Sequence, residues 1–280
     1  MNYLQAINYG AEIFKYKKFL NYNLDSELLL SNVLKLKREE LLINLKKKIY
    51  YKSFNQYKKL IKRRLKKEPI AYILKTKEFW KYMFYINKNV LIPRPETELI
   101  VEEALKILEP DSSKRILDVG TGSGCIIISL IKERPHLSGK AIDICKKAIK
   151  IAKYNAKMHH LQNKIKFINI DIDKFNLNKY DFVISNPPYI NKFDLNRLDY
   201  GIRFFEPLIA LDGGYSGLEV IVKLIQRSHL ILKKNGKLIF EIGEKQKRQT
   251  IDILKKNGFF INKYCNDLSG KCRVIISTKI

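Results

Sequence analysis

The stretch that most restricts the fold is Ile116-Leu117-Asp118-Val119, which runs into Gly120-Thr121-Gly122-Ser123-Gly124 and then an apolar segment over 125–131. A short β-prone run that breaks at closely spaced glycines and resumes as a helix reads as strand, tight loop, helix. From residue 115 onward this alternation repeats. Strands are expected near 115–119, 140–143, 165–168, 182–185 and 237–241, with helices between them and a final antiparallel pair near 259–264 and 273–277. Such an order predicts an α/β fold, with a mostly parallel sheet covered on both faces.

The first part of the chain follows a helical period instead. Leu4, Ile7, Ala11 and Phe14 recur at helical spacing, and Asp25 offers an N-cap ahead of an apolar face with Leu28, Leu29, Leu30, Val33 and Leu34. Residues 38–42 suggest a short third helix. Phe54, Tyr57, Leu60, Ile61 and Leu65 mark a fourth, stopped by Glu68-Pro69. Residues 1–77 therefore predict a small helical-bundle domain. Over 78–92 the aromatic residues Phe79, Trp80, Tyr82, Phe84 and Tyr85 are β-prone and Asn87-Lys88-Asn89 is turn-like, which predicts a β-hairpin linker. Residues 93–280 form the α/β domain, entered through the rigid loop Ile92-Pro93-Arg94-Pro95-Glu96-Thr97-Glu98 and a helix over 98–108.

The 280-residue chain carries 54 Lys+Arg against 28 Asp+Glu, a formal charge of +26, and 21 of those cations but only 7 of the acids fall in residues 1–92. A field of this sign favours acidic partners, nucleic acid or a nucleoprotein particle. The competing reading is compositional, since lysine is scattered through a sequence also heavy in Ile, Asn and Tyr. No compact arginine-rich patch with interleaved aromatics stands out, so stable nucleic-acid binding is not expected. Cys125, Cys145, Cys265 and Cys272 form no CxxC pair, and the four histidines have no matching ligand cluster. Reduced thiols and no metal are expected. With no apolar leader and no run long enough to span a bilayer, a soluble cytoplasmic protein without membrane association is expected.

Gly120, Gly122 and Gly124 allow a tight turn and close approach of a ligand, and the helix that follows presents free N–H groups. Asp143 ends the next strand about twenty residues on, the spacing at which an acid bonds ribose hydroxyls in nucleotide-binding α/β folds. The spacing Gly120-x-Gly-x-Gly124 is not G-x-G-x-x-G, and no P-loop GK[ST] occurs. A glycine loop with a ribose acid is shared by dinucleotide and S-adenosylmethionine sites. Asp171 with Ile172, at the end of the third strand, is the next candidate and suits an adenine edge and face; Asp173 is the competing assignment.

The fourth strand stops at Ser185-Asn186-Pro187-Pro188-Tyr189. Each proline fixes its φ and removes a donor, leaving carbonyls with no competing N–H. Asn186 adds a side-chain carbonyl and Tyr189 a flat apolar face. Together these can grip a planar group that carries an NH2. All four loops fall at carboxyl ends of expected parallel strands, where open α/β sheets place ligands.

These residues and their flanks resemble the class I S-adenosylmethionine-dependent methyltransferases. They resemble more closely the protein-(glutamine-N5) methyltransferases of peptide chain release factors (the HemK/PrmC family). The likeness runs nearly full length, through Glu68-Pro69-Ile70-Ala71-Tyr72, Glu78-Phe79-Trp80, Leu91 to Glu98, Leu117 to Gly124, Ser185 to Ile190 and Phe205-Glu206-Pro207-Leu208. The Ile-Pro-Arg-Pro-Glu-Thr-Glu segment is highly specific; Asn-Pro-Pro-Tyr also occurs in adenine and guanine amino methyltransferases. Lys75 and Lys81 stand where glycines are usual, and Cys272 where an Asp is usual.

The resemblance implies a Rossmann-like sheet with an antiparallel C-terminal strand. It implies S-adenosylmethionine held by Gly120, Thr121, Gly122, Ser123, Gly124 and Asp143, with Asp171 or Ile172 at its adenine. It also implies that Asn186 sits between cofactor and substrate. Asn186, Pro187, Pro188 and Tyr189 would bind and activate a glutamine side chain, which sits in a Gly-Gly-Gln loop of a release factor. The N-terminal helical domain would help to hold that partner. The main rival is a nucleic-acid adenine or guanine amino methyltransferase, for which no separate base-recognition module is visible. A non-catalytic binding protein with a vestigial cofactor site is the second rival.

Overall fold

The computed structural model describes residues 1–111, 113–175 and 179–280, which group into two compact units. The first comprises Met1–Lys75 together with Tyr200–Phe205, the second Thr76–Asp199 and Glu206–Ile280.

The first unit is helical: α1 (Tyr3–Tyr16), α2 (Tyr22–Leu34), α3 (Arg38–Ile43), α4 (Tyr51–Leu65) and α5 (Ile70–Leu74). A reciprocal capping box opens α1, with Asn2 Oδ1 accepting from the Gln5 N–H at 2.8 Å and Gln5 Oε1 from the Asn2 N–H at 2.9 Å. Phe14, Leu29, Leu30, Leu41 and Tyr57 are fully buried at the centre of the bundle. Asp25 is not the expected cap. Asn21 flanks α2, and Asp25 lies within its first turn, buried, accepting from Arg64 Nε of α4 at 2.7 Å. A partner guanidinium explains why a buried acid sits on this face. The fifth helix begins directly after Pro69, which the sequence suggested only as a stop.

The second unit opens with a hairpin of β1 (Thr76–Phe79) and β2 (Tyr82–Tyr85), which pair antiparallel. Its turn is Trp80-Lys81, with Trp80 at φ +59°, rather than the expected Asn87-Lys88-Asn89, which forms a separate turn farther on. The hairpin is anchored by polar contacts. Glu133 accepts from Trp80 Nε1 at 3.1 Å and from the Tyr82 hydroxyl at 3.0 Å, and it pairs with Lys81. Lys75 adopts φ +61° at the end of α5.

The main body continues with α6 (Glu98–Ile107), β3 (Arg115–Val119), α7 (Cys125–Glu133), β4 (Ser138–Asp143), α8 (Lys146–Met158), β5 (Ile165–Asn169) and β6 (Tyr180–Ser185). After α9 (Tyr200–Phe205) come α10 (Glu219–Ile231), β7 (Leu232–Glu241), α11 (Lys247–Lys256), β8 (Phe259–Asn266) and β9 (Cys272–Lys279). The seven-stranded sheet has the order β5-β4-β3-β6-β7-β9-β8. The strands from β5 to β7 run parallel, and β9 is antiparallel to both its neighbours.

Alternation along the strands builds two cores. Ile116, Phe182, Ile184, Ile239 and Ile276 face a layer that includes Ile100, Val101, Ile127 and Ala152. Their neighbours Leu117, Val183, Leu238, Phe240 and Ile275 face Ile221, Leu224, Ile225 and Leu254. A sheet buried on both sides explains why these strands read as continuous apolar runs.

From β3 the chain steps outward to β4 and β5, then returns to the opposite side of β3 for β6. The crevice at such a reversal is where open α/β sheets bind ligands.

Candidate functional site

Strand register assembles the site. Ile168, Ile142, Val119, Ser185 and Phe240 are paired in one row across β5, β4, β3, β6 and β7. One residue farther, at the carboxyl ends, stand Asn169, Asp143, Gly120, Asn186 and Glu241. Loops distant in sequence are thus delivered side by side.

Gly120 and Gly122 have φ of +69° and +56°. A Cβ on Gly120 would meet no atom within 4 Å, and one on Gly122 only the Gly120 carbonyl at 4.0 Å. Both bare faces open onto free space, so a side chain here would protrude into whatever lies above the loop. Gly124 serves differently. At φ +82° it precedes α7, and a Cβ would press on Ile128 Cδ1 at 3.0 Å and Ala152 Cβ at 3.3 Å, so its bareness lets α7 pack against α8.

The loop is tied from below. Gly120 and Thr121 donate their N–H groups to the Ile142 carbonyl at 2.9 and 3.1 Å, and Asn155 Nδ2 donates to the Ser123 carbonyl at 2.8 Å. The Thr121 hydroxyl donates to Asp118 Oδ2 at 2.6 Å. Asp118 is fully buried, its Oδ1 has no hydrogen-bond partner among the described residues, and burial pushes its carboxyl up to about 7.

Asp143 accepts the Gly122 N–H on Oδ2 at 2.9 Å and the Cys145 N–H on Oδ1 at 2.8 Å. Burial raises its pKa, and the two backbone bonds restrain the rise. Each oxygen retains acceptor capacity beyond its one N–H.

A cavity of about 630 Å³ lies over this end of the sheet. Gly120, Thr121, Gly122, Ser123, Asp143, Asp171, Ile172, Asn186 and Pro188 of the expected site residues line it; Gly124, Pro187 and Tyr189 do not. Its apolar wall includes Ile144 and Ile170, and Leu208 and Ile209 line it as half-exposed residues. Asp171 is at the cavity whereas Asp173 is not. Asp171 caps the following turn by accepting the Asp173 N–H, which with Lys223 nearby lowers its pKa, and Asp173 pairs with Lys223 at 2.6 Å.

On the other side of the cavity, Asn186 Nδ2 donates to Thr97 Oγ1 at 2.9 Å, and the Thr97 hydroxyl donates to Glu241 Oε2 at 2.5 Å. The Tyr189 hydroxyl donates to Glu241 Oε1 at 3.0 Å. The Tyr189 ring packs against the second core, so it does not present the flat face to the cavity that the sequence suggested. Its carbonyl is fixed as well, accepting from Gln246 Nε2 at 2.9 Å. Glu241 is nearly inaccessible, and burial raises its pKa against the lowering effect of its Thr97 and Tyr189 bonds.

Glu206 accepts from Arg94 Nη2 and, at 3.1 Å, from the Ile92 N–H. The Ile-Pro-Arg-Pro-Glu-Thr-Glu and Phe-Glu-Pro-Leu segments are therefore held together by one buried carboxylate. Thr97, Glu241, Arg94 and Glu206 were not singled out as site residues from sequence. A signal existed for Glu241, which ends an expected strand beside that of Asn186, but pairing partners are not written in a single sequence. No group of three or more His, Cys, Asp or Glu residues placed to hold a metal ion occurs among the described residues.

The chain is similar to known proteins. Residues 5–74 match the PrmC N-terminal domain family model, and residues 97–206 match the Methyltransferase small domain model. The chain is 36% identical over 261 residues to a release factor glutamine methyltransferase of Clostridium acetobutylicum, covering 92% of each. It is 38% identical over 258 residues to the release factor glutamine methyltransferase of Buchnera aphidicola, again with 92% of each covered. A bifunctional methyltransferase of Rickettsia typhi is 37% identical over 271 residues, which are 90% of this chain but 52% of that longer protein. Among solved structures, a methyltransferase from Pyrococcus furiosus superposes with a TM-score of 0.53 at 17% identity, covering 70% of this chain and 88% of its own; this likeness is one of fold.

Proposed function

The chain belongs to the release factor glutamine methyltransferase family, and from that premise we propose that it methylates the side-chain amide nitrogen of a release-factor glutamine, with S-adenosylmethionine as donor. The observation that carries the reading is the Asn186 amide, held by Thr97 at the edge of a cavity whose floor is a bare glycine loop.

The residues present suit that donor. Open space above Gly120 and Gly122 accommodates a closely approaching group, Asp143 keeps acceptor capacity for ribose hydroxyls, and Asp171 with Ile172 flanks an apolar slot for a purine. Thr121 and Ser123 complete the loop, and Gly124 sets the helix behind it. Bound there, the donor supplies a methyl group on a positively charged sulfur.

An amide nitrogen is a poor nucleophile because its lone pair is shared with the carbonyl. Asn186 Oδ1 and the Pro187 carbonyl accept its two N–H hydrogens. Pro188 forms part of the wall, and Tyr189 holds the loop from behind. Acceptors fixed at both hydrogens favour the positive charge that develops on nitrogen as the N–C bond forms and sulfur keeps the electrons of its broken bond. The nitrogen then gives its extra proton to water, so no side-chain base is needed. Fixing two reactants in line is worth as much as ~7–11 kcal/mol of barrier.

The helical domain of residues 1–77 holds the protein partner, the hairpin over 78–92 connects it to the methyltransferase domain over 93–280, and the enzyme works in the cytoplasm where release factors act. Incubation with methyl-labelled S-adenosylmethionine and purified release factor, or bulk RNA and DNA, tests the reading. Label on one release-factor glutamine is expected. Label in nucleic acid and not in protein overturns the substrate, favouring the adenine or guanine amino reading.

A further inference from the structure

We infer that Thr97 and Glu241 are positioning residues that decide which end of the Asn186 amide faces the substrate. This deepens the glutamine-methylation reading and rests on it.

The oxygen and nitrogen of an asparagine side chain are nearly the same size, so shape alone does not select between them. Chemistry does. A carboxylate at Glu241 only accepts, so the Thr97 hydroxyl must spend its single proton on Glu241 Oε2, 2.5 Å away. Thr97 Oγ1 is then left as an acceptor toward Asn186, and only the NH2 end satisfies it, at 2.9 Å. Among the described residues Asn186 Oδ1 has no partner, and Asn186 lines the cavity. The opposite flip would set the NH2 toward the substrate amide, donor against donor.

Tyr189 secures the relay by donating to Glu241 Oε1 at 3.0 Å, so both carboxylate oxygens are committed. The three groups come from separate places: Thr97 from the turn before α6, Asn186 from the end of β6 and Glu241 from the end of β7. Thr97 and Glu241 are buried to within 3% and 1% exposure, so solvent cannot substitute for a missing member.

The test uses the full-length protein. Thr97→Val keeps the shape and removes the hydroxyl, Thr97→Ser restores it, and Glu241→Gln lets the new amide donate to Thr97 and reverse the relay. Misorientation at the reacting group is expected to lower kcat about a hundredfold in Thr97→Val and Glu241→Gln. The Kd for S-adenosylmethionine should hold in both, and Thr97→Ser should recover most of the rate. In the cofactor-free protein, the Asn186 side-chain NH2 resonances should be protected from solvent exchange in wild type and Thr97→Ser but not in Thr97→Val.

Wild-type rate in a folded Thr97→Val overturns the inference, and so does a Thr97→Ser as slow as Thr97→Val. Should Glu241→Gln fail to fold, the two Thr97 variants decide alone. A wild-type enzyme that transfers nothing strikes the substrate reading instead, and the exchange measurement then decides the orientation: equal protection in Thr97→Val and wild type refutes the relay.

Discussion

Asp143→Asn separates the carboxylate's charge from its shape. In the wild type each oxygen accepts one backbone N–H, from Gly122 at 2.9 Å and Cys145 at 2.8 Å. Asparagine preserves one of these bonds and turns an NH2 against the other donor. A hydrogen bond to a charged group contributes about 1.5–3 kcal/mol. The same replacement removes one acceptor for a ribose hydroxyl, a loss of similar size. Together the change comes to about 3–6 kcal/mol, and at 1.4 kcal/mol per tenfold cofactor affinity falls by about 10²–10⁴. Part of that loss is expressed as disorder of the glycine loop, which Asp143 ties through Gly122. Isothermal titration with S-adenosylmethionine and its demethylated product measures it directly. Burial raises the Asp143 pKa, so wild-type affinity should also weaken as pH falls through that titration, while the asparagine variant stays flat over the same window. A folded Asp143→Asn protein that binds within a few-fold of wild type would refute the reasoning.

Other substitutions probe the framework. Asp118 keeps its proton in the fold up to about 7 but loses it near 4 when unfolded, so its contribution to stability declines as pH rises across that interval. Asp118→Asn should flatten this part of the curve and be the more stable form at pH values above 7, read by urea melts on either side of the interval. Gly10→Ala would place a Cβ 2.0 Å from the Tyr57 hydroxyl and 2.8 Å from Ser26 Oγ, whose mutual bond is 2.6 Å. It should destabilise the helical unit by about 1–3 kcal/mol despite alanine's better helix propensity, seen as a lower melting temperature by circular dichroism. Lys75→Gly relieves a left-handed backbone that costs a non-glycine residue about 1–2 kcal/mol, and should leave stability equal or slightly higher in the same melt.

The parallel part of the sheet was legible because its strands are apolar on both faces, and a two-sided core leaves a run that polar turns punctuate clearly. The hairpin turn was not. Trp80 occupies a left-handed conformation that turn statistics reserve for glycine or asparagine, because Glu133 collects Trp80, Lys81 and Tyr82 from α7, a contact between residues some fifty positions apart. Asp25 looked like a cap for the same reason: its partner Arg64 lies on another helix. The placing of the glycine loop, Asp143, Asp171 and Asn186 around the cavity was legible because each lies at or just past the carboxyl end of a strand. What lies behind them could not. Tyr189 looked like a substrate-facing ring, but its hydroxyl is drawn to Glu241, and that carboxylate becomes Tyr189's neighbour only once β6 and β7 are paired in register.

Asn186→Ala tests the central claim most directly when single-turnover methyl transfer to a release factor and S-adenosylmethionine affinity are measured on the same preparation. Transfer should be abolished while the cofactor Kd stays close to wild type. Affinity lost in step with activity, or transfer that continues at the wild-type rate, would contradict the account.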